Sequence, residues 1–300
     1  MNHFSFELSL IAVLPALLLC GFVFFKDRIE REPLGLLTLL FGAGAISYIP
    51  STLLESKILD WLNEFFSDSM HASAEGFIQF STKETEFTYL ALCAFLGFAL
   101  IRICFQWVTL FLLTYKNKNF NHLFDGIVYS IFVSLGFSVA ENIHFLLRND
   151  VEILLPKLIT SVPCQLFIGI IIGCFYTMGH MRFSANQIEE KLLKSGIIDK
   201  DNIKSSAPWL ISGIVVPCLI SGIFALAGTS LGDSFTALFY ILVFLTLGIS
   251  FFLIDKIASK DISYGKYLYR IIAKAHPDLS RDTICEVENL DLSAKREVQE

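Results

Sequence analysis

Charge is scarce in this chain. Only 17% of its 300 residues are Asp, Glu, Lys or Arg, against 54% hydrophobic residues. A water-soluble domain of this length needs more charge to cover its surface, so a soluble globular class is excluded. Residues 1–25 contain neither Lys nor Arg. Without a basic n-region, the first apolar run reads as a retained helix and not as a cleaved signal peptide. Period-2 alternation with turn punctuation is missing, which argues against an outer-membrane barrel. No C-x-x-C spacing occurs: the seven cysteines (Cys20, Cys93, Cys104, Cys164, Cys174, Cys218 and Cys285) are scattered, and six fall in apolar segments. That is the pattern of small buried hydrophobes, not of a disulfide framework or a metal knuckle. A net charge of −6 gives no reason to expect a nucleic-acid partner.

What the chain has is long apolar runs, at about 7–25, 34–54, 87–115, 125–147, 159–180, 208–229 and 234–254. In lipid the backbone must satisfy its own hydrogen bonds, so such runs become helices. The prediction is an all-α polytopic transmembrane bundle over residues 1–254, followed by a charged cytoplasmic tail over 255–300. Within the tail, Tyr264–Ala275 (YGKYLYRIIAKA) sets basic and aromatic residues at helical spacing and is expected to lie on the membrane surface. Leu59–Phe66, in the polar loop 55–86, reads as an interfacial helix. Segments 26–33, 116–124, 181–207 and the tail hold 18 of the 23 basic residues. Lys57, Lys83, Arg148 and Lys157 lie on the other side. The positive-inside rule therefore orients the chain N-out, C-in.

Four spans carry polar groups near mid-depth: Arg102 with Gln106, Glu141 with Asn142, Gln165 after Pro163, and Ser221 after Pro217. At about 1.5 Å per residue, they lie about 20–24 Å from the cytoplasmic ends of their spans. Four helices thus place polar side chains in one layer. Gln, Asn and Ser inside spans often serve only as interhelical glue. Arg102 and Glu141 each need a partner in hydrocarbon, and pairing with each other is the simplest solution.

The fourth span, DGIVYSIFVSLGFSVAEN, resembles the PrsW-type intramembrane proteases, whose motif F-x-x-x-E followed by Asn falls on Phe137–Glu141 and Asn142. EREPLGLL, near residue 30, resembles that family's acidic, Pro-containing entry to its second span. The resemblance extends over about residues 27–230. It implies a CAAX-processing-peptidase-like membrane fold, a metalloprotease activity with zinc as the expected metal, and membrane-anchored substrates such as anti-sigma factors. It also implies where the other motifs belong. The family's E-E-x-x-K falls on Arg102, Ile103 and Gln106, its fifth-span His on Gln165, and its H-x-x-x-D on Ser221 and Ala225. Of these positions only Glu141 keeps the catalytic residue type.

A catalytic zinc takes three protein ligands and an open water position. His144, at i+3 from Glu141, does not complete such a set. A serine mechanism at Ser221 would need a base in reach, and His144 is off-depth. The expectation is a degenerate family member without metal or cofactor, with Arg102 supplying the cation's charge beside Glu141. Such a pseudoprotease would sit in a bacterial inner membrane and bind a single-span or membrane-anchored partner. Two alternatives stay open: an active intramembrane protease using other residues, and a small transporter or channel whose polar layer lines a pathway.

Overall fold

In the computed structural model the described residues are 6–27, 32–72, 78–117, 119–148, 151–230 and 236–279. The charged tail beyond residue 279, with Cys285, and the acidic–basic turn at 28–31 lie outside them. The chain forms α1 (Phe6–Lys26), α2 (Leu34–Phe65), a short 3-10 turn, a hairpin of β1 (Met70–Ala72) and β2 (Ile78–Phe80), and α3 (Lys83–Leu92). A π-helical stretch, Cys93–Leu100, then joins α3 to α4 (Ile101–Thr114) as one rod. After it come α5 (Asp125–Arg148), α6 (Val151–Lys194), α7 (Ala207–Ser230), α8 (Thr236–Ser259) and α9 (Tyr264–Ala275). Among the described residues, six helices are long and apolar enough to cross a membrane, and α1 adds a shorter apolar helix, Ile11–Lys26. The protein is a polytopic helical bundle.

The bundle is built around α5. Its apolar window is 72% buried, against 17% for α7 and α8, so α5 is the axis and the last two long helices face lipid. Small residues let its neighbours come close, since helices in lipid associate by packing and not by expelling water. The crossing with α2 is reciprocal. A Cβ added to Gly44 would stand 2.1 Å from the Val133 carbonyl oxygen, and one added to Gly136 would stand 2.0 Å from that of Phe41. On the other flank, a Cβ on Gly173 would meet Ser130 Oγ at 2.3 Å, and Ser130 Oγ donates to the Gly169 carbonyl at 2.5 Å.

Two helices run past their apolar stretches. The Leu59–Phe66 segment continues α2 down to Phe65 instead of forming a separate helix. Its Leu62 and the neighbouring Phe66 pack with Cys93, which gives the extension an apolar partner. At 44 residues α6 is about 66 Å long, roughly twice the hydrocarbon core. Its far end holds Ala185, Ile188 and Leu192 against Leu268 and Ile272 of α9. Glu189 pins this unit: it accepts the backbone N–H groups of Asn202 (2.6 Å) and Ile203 (3.1 Å), and lies 2.5 Å from His276 Nε2.

Candidate functional site

The polar layer assembles from four helices. The sequence of α2 places Gly44, Ser47, Tyr48, Ser51, Glu55 and Leu62 on one buried face at three- and four-residue spacing, which carries Glu55 into the bundle at 4% exposure. The π-helical stretch before Arg102 adds residues per turn, and so changes which face of α4 meets the interior. α5 presents Glu141, 6% exposed, and Asn142, fully buried. α6 begins at Val151, so Lys157 is already inside a helix and can reach back with its long stem.

Arg102 is the centre of the layer. Its Nη1 donates to Glu141 Oε1 at 2.9 Å, the pair anticipated from depth. Its Nε and Nη2 donate to the two oxygens of Glu55 at 2.9 and 3.2 Å, a bidentate fork. Lys157 Nζ donates to the same Glu141 oxygen at 2.7 Å. Two carboxylates thus face two cations, and the network is neutral. Aromatic rings cover the cations: Phe98 lies 5.6 Å from the guanidinium carbon, and Phe145 lies 5.8 Å from Lys157 Nζ.

Beside the charges runs a chain of neutral groups. Gln106 Nε2 donates to Gln165 Oε1 at 3.3 Å, and Ser134 Oγ donates to Gln106 Oε1 at 2.8 Å. Ser161 Oγ donates to Asn142 Oδ1 at 3.0 Å. Tyr48 OH and His144 Nδ1 are 2.6 Å apart. Ile103 is 1% exposed and packs in the apolar core.

The layer thus joins Arg102, Gln106, Glu141, Asn142 and Gln165. Ser221 and Ala225 lie on α7. That helix meets Trp107 at Gly213 and Phe95 at Gly222. None of the layer's hydrogen bonds given above reaches either residue. Glu55 and Lys157 are the members that sequence reasoning missed. Ending the second span at residue 54 put Glu55 in a loop, although the Gly44–Leu62 stripe runs through it. Lys157 stood outside a span thought to begin at 159.

The model of the PrsW family intramembrane metalloproteases matches residues 32–250. The chain belongs to the PrsW family. It is 28% identical over 202 residues to the protease PrsW of Oceanobacillus iheyensis, covering 67% of this chain and 78% of that protein. It is 27% identical to the protease PrsW of Bacillus subtilis over 237 residues, covering 78% of this chain and 88% of that one. The protease PrsW of Halalkalibacterium halodurans is 27% identical over 219 residues, covering 73% and 82% of the two chains. No solved structure matches.

Membership in the PrsW family raises the question of a metal. The donors in the layer do not fit one. Both oxygens of Glu55 are held by the guanidinium, and Glu141 Oε1 takes two cations. The nearby imidazole of His144 has its Nδ1 against Tyr48. Among the described residues, no three His, Cys, Asp or Glu side chains converge to hold a metal ion.

Proposed function

We propose that this chain is a non-catalytic member of the PrsW family. On this reading it is a pseudoprotease that keeps the family's membrane bundle and uses it to bind a single-span or membrane-anchored protein in a bacterial inner membrane. The observation that carries the reading is the Arg102 guanidinium lying between Glu55 and Glu141. A metalloprotease centre needs a cation with an open position for water. Arginine supplies the positive charge without that position, and it stays protonated. The positions where the family's charged and imidazole groups fall by motif spacing hold Arg102, Ile103, Gln106, Gln165, Ser221 and Ala225, with Glu141 retained. On this reading the layer fastens α2, α4, α5 and α6 to one another.

The test is co-expression with a tagged single-span protein, comparing the full-length chain with Glu141→Gln. The expected result is equal amounts of intact tagged protein in both, and less than stoichiometric zinc by elemental analysis of the purified chain. Cleavage that disappears in Glu141→Gln would refute the proposal, as would one tightly held zinc per chain.

A further inference from the structure

The end of the molecule where α6 and α8 leave their apolar stretches carries a second feature, unrelated to the layer. Helix α9 has a single apolar face, and that face is taken: Leu268 and Ile272 pack on Ala185, Ile188 and Leu192 of α6. The opposite face carries Lys266, Arg270 and Lys274, all exposed. Their four-residue spacing makes them one stripe. Lys256 and Lys260, at the end of α8, are exposed as well. Of the acids in this stretch Asp278 is exposed, and the other two described ones are engaged elsewhere. Asp255 pairs with Lys26. Asp261 accepts the Phe124 N–H at 2.9 Å and lies 3.0 Å from His122 Nδ1.

The position of α9 is fixed as firmly as its charge. Tyr264 N donates to the Asn121 carbonyl at 2.7 Å, and Tyr264 OH contacts His180 Nδ1 at 3.0 Å. Tyr267 OH lies 3.5 Å from the sulfur of Met178, which is 36% exposed on the flank of α6. The first turn of α9 therefore stands beside Met178 and His180, at the end of the apolar stretch of α6.

We infer that the Lys266–Arg270–Lys274 face of α9, extended by Lys256 and Lys260, binds the phosphate headgroups of anionic phospholipids at the membrane surface. Five exposed cations stand against one exposed acid, Asp278, the other two described acids of the stretch being paired, and that excess of positive charge complements an anionic headgroup layer. Because α6 covers the apolar face of α9, the contact is electrostatic and involves no insertion of the helix. That separates it from an ordinary amphipathic anchor, which buries its apolar side in the bilayer. It must therefore weaken with salt.

The test uses the purified full-length chain in detergent, titrated with fluorescent phosphatidylglycerol or phosphatidylcholine. Wild type should prefer phosphatidylglycerol and lose that preference at high salt. The triple variant Lys266→Gln, Arg270→Gln, Lys274→Gln changes only exposed side chains. It should bind phosphatidylglycerol more weakly by about fivefold or more, the effect of losing a cation beside an anionic headgroup. A control triple, Lys191→Gln, Lys200→Gln, Lys204→Gln, removes the same charge from other exposed positions and should keep the preference. Equal loss in the control overturns the inference, as does salt-independent binding. Capture of a poly-glutamate peptide without any phosphatidylglycerol preference would assign the face to an acidic protein partner and also overturn it.

Discussion

Replacing Arg102 by alanine tests the reading of the layer most directly, because its two carboxylate partners should respond differently. Glu55 gives both oxygens to Arg102, at 2.9 and 3.2 Å, and is 4% exposed. Glu141 shares one oxygen between Arg102 at 2.9 Å and Lys157 at 2.7 Å. Arg102→Ala therefore strips Glu55 of both these contacts but leaves Glu141 one cation. Breaking a buried ion pair from one side costs about 3–5 kcal/mol, because it leaves a charge without compensation. At about 2–4 °C per kcal/mol, the unfolding midpoint should fall by roughly 6–20 °C. Adding Glu55→Gln removes the stranded charge and should recover at least half of the loss. Adding Glu141→Gln should recover nothing, since it leaves Glu55 as before and takes the partner of Lys157. Thermal unfolding followed with a thiol-reactive dye suits the protein, because Cys20 and Cys93 are 5% and 9% exposed when folded. A wild-type midpoint for Arg102→Ala would refute the reasoning, and so would equal rescue by the two glutamines.

Two further predictions concern the packing around the layer. Gly44→Ala and Gly136→Ala each drive a methyl to about 2 Å from a backbone oxygen of the facing helix, so both should sharply lower the amount of folded chain in the membrane fraction. Gly42→Ala, with nothing within 4 Å of the added carbon, should accumulate normally. Gln165→Leu should cost about 1–3 kcal/mol by leaving the buried Gln106 amide without its acceptor, read as a lower midpoint in the same dye assay. Gln106→Leu with Gln165→Leu removes that stranded amide but takes the acceptor of the buried Ser134 hydroxyl, so the triple that adds Ser134→Ala should be no worse than Gln165→Leu alone.

Much of the bundle was legible because lipid leaves the backbone little choice. Apolar runs of about twenty residues must form helices there, and the spans near 125–147 and 208–229 agree closely with α5 and α7. Depth along the spans that became α4 and α5 was enough to pair Arg102 with Glu141. Helix ends followed different rules. Once α2 and α6 find apolar partners beyond the bilayer, in Cys93 and in Leu268 and Ile272, they continue, and hydropathy does not record where such partners stand. Amphipathic α9 illustrates the same limit. Its sequence shows one apolar and one basic face, but whether lipid or protein covers the apolar side depends on how far α6 projects.

By itself the sequence determined that this is a helical membrane protein, where its polar groups lie in depth, and which family its fourth span resembles. These properties belong to single helices, and period and hydropathy suffice to read them. Only the tertiary structure decided what Arg102 does. Depth gives one coordinate of a side chain, whereas an ion pair also requires the rotation of each helix and the distance between axes. Those are set by the Gly44–Gly136 crossing, the π-helical turn before Arg102 and the early start of α6. Together they put Glu55 and Lys157 beside a pair that the sequence had shown alone.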